Sequence, residues 1–132
     1  MSNDKNEKKK ILLVDDEEIN LMLAELLLED EYEIYKARSG DEAIKYLCNK
    51  EFTPSVILLD IIMPNMNGWE ILNRIKAISF LKDIPIIFLT SVEGETEKDL
   101  AYKMGIADYI TKPYDMIVLK SRIKEVIKRK NK

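Results

Sequence analysis

Five short runs of apolar and β-branched residues recur along the chain, each bounded by polar or turn residues. They are residues 9–15 (KKILLVD), 32–37 (YEIYKA), 55–60 (SVILLD), 84–90 (IPIIFLT) and 107–111 (ADYIT). Their length and composition predict strands. The intervening segments 17–30, 39–50, 68–78, 95–105 and 115–130 carry helical periodicity, clearest at Ile19, Met22, Leu23, Leu26 and Leu27. Ser39 with Glu42 three residues on reads as an N-terminal capping box, and Gly105 stands where a helix would end in a left-handed residue. Regular alternation of strand and helix predicts an α/β fold: a doubly wound, five-stranded parallel sheet with helices on both faces, in three layers. One domain over residues 9–130 is expected, preceded by a polar, charged and disordered extension at 1–8.

In a parallel sheet all strands point one way, and ligands bind beyond their carboxyl ends where the strand order reverses. Asp15 and Asp16 close the first run, Asp60 the third and Thr90 the fourth, while Lys112 follows the fifth. The fold therefore gathers these polar groups at one rim. Three carboxylates brought together repel one another and raise each other's pKa unless a cation neutralises them. Oxygen-only ligation favours a hard ion, and Mg2+, which keeps several waters and takes few carboxylates, suits an open rim better than Ca2+.

Composition narrows the chemistry. The 132 residues include no histidine, which excludes a Ser-His-Asp triad, a Cys-His pair and a His-ligated zinc. The only cysteine, Cys48, cannot form an intramolecular disulfide, and no apolar run is long enough to span a bilayer, so a cytoplasmic protein without membrane contact is expected. A net charge of -3 argues against direct nucleic-acid binding, although residues 8–10 and the closing KRKNK are locally basic.

Four motifs, VDDE (14–17), LLDIIMPNMNG (58–68), FLTS (88–91) and YITKPYD (109–115), stand in order along the chain. Together they strongly resemble the receiver domain of two-component response regulators, a CheY-like, flavodoxin-like (βα)5 fold. The resemblance covers residues 9–128, with 44 residues from Asp16 to Asp60, 30 from Asp60 to Thr90 and 22 from Thr90 to Lys112. It implies that Asp60 is the phosphoacceptor, taking a phosphoryl group from a phosphohistidine on a sensor histidine kinase or a histidine phosphotransfer protein. It implies that Asp15, Asp16, Asp60 and the backbone carbonyl of Ile62 hold Mg2+, and that Lys112 and Thr90 bind the phosphoryl oxygens. Thr90 and Tyr109 match the family's switch pair, in which Thr90 moves toward the phosphoryl group and Tyr109 rotates into the space vacated. Pro64 and Gly68 then shape the loop after Asp60, with Gly68 permitting a conformation other residues avoid, and Pro113 in a cis peptide aims Lys112.

The same resemblance implies a downstream effector at the face made by the fourth helix, the fifth strand and the fifth helix. A homodimer through that face is compatible with the family, but Val118 stands where DNA-binding relatives carry an acidic residue used across the dimer. Ile62 and Val92 are apolar where chemotaxis-type receivers are polar, which implies slow self-dephosphorylation. Whether the domain stands alone or belongs to a longer regulator stays open. Three rivals fit less well. An aspartyl-phosphate phosphatase needs a second aspartate where Ile62 stands, a mononucleotide binder needs a phosphate-cradling loop where DDEEIN stands, and a pseudo-receiver is expected to lack one of the site residues.

Overall fold

The computed structural model describes residues 8–63, 66–91 and 93–130. Five strands, β1 (Lys9–Val14), β2 (Tyr32–Ala37), β3 (Val56–Leu59), β4 (Ile86–Thr90) and β5 (Asp108–Thr111), alternate with five helices. The helices are α1 (Glu18–Leu28), α2 (Gly40–Leu47), α3 (Gly68–Lys76), α4 (Glu95–Lys103) and α5 (Met116–Lys130). All pairings are parallel, in the order β2-β1-β3-β4-β5. The order reverses between β1 and β3, which fixes the crevice at their carboxyl ends. Each predicted element is present, with ends trimmed by a few residues. The fourth strand begins at Ile86 because Pro85, lacking an N–H, contributes only its carbonyl, which accepts from the Ile57 amide at 2.9 Å.

Alternation along each strand divides the core in two. Leu12, Val14, Ile57, Leu59, Ile86, Phe88 and Tyr109 pack toward α2, α3 and α4, against Leu47, Ile71, Leu72, Ile75 and Ala101. Ile11, Leu13, Val56, Leu58, Ile87, Leu89 and Ile110 pack toward α1 and α5, against Leu21, Leu28, Leu119, Ile123 and Val126. β3 is buried at all four positions, as a central parallel strand covered on both sides must be.

The caps follow the sequence reading in substance. Ser39 Oγ accepts from the Glu42 amide at 3.1 Å, while Glu42 reaches back to the Arg38 amide at 2.7 Å. Gly105 after α4 has φ 103°, a left-handed value that favours glycine. The expected disorder of residues 1–8 lies, Lys8 apart, outside the described residues, as does Pro64.

Helix α1 departs from a simple amphipathic pattern. The residues that announce its periodicity, Ile19, Met22, Leu23, Leu26 and Leu27, are its exposed ones, from 44% for Leu27 to 68% for Ile19. The sheet is contacted instead by Leu21, Ala24 and Leu28. The helix is thus apolar on two faces, with Glu18 and Glu25 between them tied to Arg38 and Lys36. Replacing Leu28, which is fully buried, with Ala is expected to cost about 2–5 kcal/mol. Leu26→Lys on the outer face should change stability by no more than about 0.5 kcal/mol. Urea unfolding of the two variants checks the assignment of faces.

Candidate functional site

The register of β1 against β3 pairs Val14 with Leu59, so the next residue of each strand, Asp15 and Asp60, emerges side by side. The Asp60 amide donates to the Val14 carbonyl at 3.1 Å, and the Asp15 amide to the Ala37 carbonyl at 3.1 Å. These backbone bonds hold both carboxylates at the rim. Asp16 joins them: one carboxylate oxygen from each of Asp15, Asp16 and Asp60 lies within 4.8 Å of the other two. Across the sheet, β4 pairs Thr90 with Thr111, and the Lys112 amide donates to the Thr90 carbonyl at 2.7 Å. The Lys112 ammonium then reaches back over the crevice to Asp60 Oδ2 at 3.3 Å and Asp15 Oδ2 at 3.5 Å. The Lys112–Pro113 peptide is cis.

Electrostatics are finely opposed here. Burial pushes the Asp60 pKa above its ordinary value of 3.8, with the neighbouring Asp15 charge adding to the rise. Lys112 and the Ile62 amide, which donates to Asp60 Oδ1 at 3.2 Å, act the other way without cancelling it. For Lys112 burial works to lower the pKa, and the charges of Asp60 and Asp15 outweigh it, so the ammonium is held more firmly than usual. A partly buried oxygen cluster already drawing in an ammonium is suited to a hard divalent cation. These residues fit Mg2+ in kind and in number.

Thr90, at the end of β4, is fully buried. Tyr109 is 5% exposed and packs inward, its ring centroid 6.2 Å from that of Phe88. Trp69, early in α3, also packs on Phe88, with the rings perpendicular and their centroids 5.4 Å apart. The structure therefore brings together Asp15, Asp16, Asp60 and Lys112, and sets Thr90 at the same rim. Ile62 contributes its amide to Asp60, while its side chain is exposed.

Gly68 requires a different explanation from the one expected. Its backbone is not left-handed, and among the described glycines only Gly94 and Gly105 have positive φ. What excludes a side chain is proximity: a Cβ would lie 2.6 Å from Ile61 Cα and 2.7 Å from the Asp60 carbonyl oxygen. Glycine lets α3 begin directly against the end of β3 at Asp60.

Sequence reasoning missed two features. Asn20 on α1 donates to Asp15 Oδ2 at 3.2 Å and Glu17 Oε1 at 3.1 Å. Its position five residues after Asp15, within the first turn of α1, was the available signal. Asp108, buried at the start of β5, accepts both 2.7 and 2.8 Å bonds from Arg122 Nη1 and a 3.1 Å bond from the Tyr102 hydroxyl. A cleft of about 560 Å3 adjoins the rim between α1 and the segment after β5, with Leu23, Leu27, Tyr114 and Met116 among its lining residues.

The strand order β2-β1-β3-β4-β5 with helices on both faces defines the class of CheY-like, flavodoxin-like doubly wound α/β domains. The comparisons place the chain within that class. The family model described as the response regulator receiver domain matches residues 11–124, and the protein belongs to that family, part of the two-component systems. A Vibrio cholerae protein described as "Probable cyclic di-GMP phosphodiesterase" is 38% identical over 113 residues, covering 86% of this chain and 25% of its own length. The response regulator receiver domain protein of Clostridium thermocellum superposes with a TM-score of 0.84 at 31% identity, covering 93% of this chain and 97% of its own. The Mn2+-bound form of response regulator Rcp1 gives 0.72 at 31% identity, covering 90% and 89%. The chain spans between a quarter and about half the length of the curated relatives it matches first. Among the described residues no helix is long and apolar enough to cross a membrane.

Two outcomes follow from the geometry. Because folding raises the Asp60 pKa above its unfolded value, the folded state binds the proton more tightly, and ionisation costs stability. That cost is absent below the unfolded value of 3.8, grows as pH rises through the folded value, and is present in full at neutral pH. Asp60→Asn should therefore melt higher than wild type at pH 7 without metal, and the advantage should vanish on acidification to pH 3. Gly68→Ala should cost about 1–3 kcal/mol through overpacking against the Asp60 backbone, measured by urea unfolding.

Proposed function

We propose that this receiver accepts a phosphoryl group on Asp60 from a phosphohistidine of a sensor histidine kinase or a histidine phosphotransfer protein. The observation that carries the reading is the convergence of Asp15, Asp16 and Asp60 at the β1–β3 switch point, with Lys112 delivered across them from β5. In the transfer an Asp60 carboxylate oxygen forms the new O–P bond as the N–P bond of the donor breaks, and the imidazole keeps the electron pair and takes up a proton. These 132 residues contain no histidine, so the donor histidine lies outside them.

Asp15, Asp16, Asp60 and the Ile62 carbonyl would hold Mg2+. When bound, that ion offsets charge on the acceptor and on the transferring phosphoryl oxygens. Lys112, now paired with Asp60 and Asp15, would transfer its ammonium to a phosphoryl oxygen, and its firmly held charge suits that role. The Mn2+-bound Rcp1 relative supports a divalent ion in this setting. The domain acts on itself and is not a turnover enzyme. It works in the cytoplasm and contacts neither membrane nor nucleic acid directly.

Output passes through Thr90 and Tyr109 to the α4–β5–α5 face, where an effector or a second copy would bind. With Tyr109 inward in this structure, phosphorylation acts by shifting the balance between inward and outward ring positions, limited to the differential contacts of one phosphoryl group.

Incubation with acetyl phosphate and Mg2+ followed by mass spectrometry should show one added phosphoryl group in wild type and none in Asp60→Asn. No gain in wild type contradicts the reading. For the output, hydrogen exchange over residues 93–128 should change when beryllofluoride, a phosphoryl mimic, is added to wild type. In Thr90→Ala the response should be lost although the mimic still binds, and a full response there excludes Thr90 as the coupling residue.

A further inference from the structure

We infer that Asn20 is a positioning residue of the cation site, an assignment that rests on reading the Asp15–Asp16–Asp60 cluster as that site. Asp15 is buried, and each of its oxygens has a defined partner. Oδ1 accepts from the Glu17 amide at 3.0 Å, and Oδ2 accepts from the Asn20 amide nitrogen at 3.2 Å and from Lys112 at 3.5 Å. If Lys112 leaves Asp15 to meet a phosphoryl group, Asn20 is the side chain that still holds Oδ2. The same amide nitrogen donates to Glu17 Oε1 at 3.1 Å, so its two hydrogens serve two carboxylates.

The chemical type matters as much as the contacts. From Asp15 to Tyr35 the chain carries no lysine or arginine, so along this stretch the orienting donor is a neutral one. A cationic side chain at position 20 would orient Asp15 equally well but would neutralise the cluster and compete with a divalent ion. A carboxylate would add attraction for the ion while removing the donor. The amide alone fixes the Asp15 carboxylate and leaves its charge intact, as outer-shell partners of metal ligands do. Asn20 occupies the third helical position of α1, whose N-cap residue Glu17 makes no side-chain cap bond. Its side chain serves the rim rather than the helix end, and its bond to Asp15 ties α1 to the site.

Calorimetric titration with MgCl2 tests this, using wild type, Asn20→Ala and Asn20→Asp, each first shown to melt cooperatively in metal-free buffer. Positioning predicts that Asn20→Ala weakens Mg2+ binding by about 10-fold. It also predicts that Asn20→Asp weakens binding despite the added negative charge, an outcome that simple charge attraction or a structural role would not give. Unchanged affinity in Asn20→Ala, or tighter binding in Asn20→Asp, overturns the role of Asn20. A wild type that binds no Mg2+ overturns the cation site itself, a separate failure read before either variant is titrated.

Discussion

The structure depends on one enforced proximity, that of the Asp15 and Asp60 carboxylates at the ends of two hydrogen-bonded parallel strands. Neither can withdraw. A one-residue slip of β1 against β3 would turn the fully buried Leu12, Ile57 and Leu59 to the wrong face of the sheet. The hydrophobic core therefore holds like charges together and keeps them partly out of water, which raises the Asp60 pKa. Lys112 relieves the repulsion from across the sheet. Its ammonium stands at the end of a long side chain, whereas the carboxylates are held by backbone bonds at the strand ends, an asymmetry that suits the proposed exchange of Lys112 for a cation and a phosphoryl group.

β5 links that site to the far surface. Lys112 follows its last residue, Tyr109 lies within it, and Asp108 at its start fastens α5 through Arg122 and α4 through Tyr102. In the proposed output, a displacement of Lys112 or Thr90 would act on a strand of four residues whose other end contacts both helices. The contacts along this route are short and physically continuous, which is what the proposed switch requires.

Much of this was legible in the sequence, for a reason that differs between elements. Parallel strands buried on both faces appear as uninterrupted apolar runs, so the breaks to Asp at 15 and 60 and to Lys at 112 stood out. Caps were equally readable, since Ser39 and Gly105 act through contacts within a few residues. What lay hidden depended on three-dimensional neighbours. The outer face of α1 has the same periodicity as an inner one, and only the small Ala24 between Leu21 and Leu28 hints at which side meets the sheet. Gly68 is explained by the approach of another backbone, and the role of Asp108 by Arg122 on a different helix, a partner that no local pattern announces.

The central claim, that the fold holds three carboxylates in an arrangement completed by a divalent cation, is tested most directly by thermal unfolding with and without millimolar Mg2+. An ion that binds the native cluster and not the unfolded chain stabilises by mass action. The wild-type melting temperature should rise with Mg2+ concentration, and the rise should be largely lost in Asp16→Asn. A wild-type melting curve unmoved by Mg2+, or one raised equally in Asp16→Asn, would contradict the account.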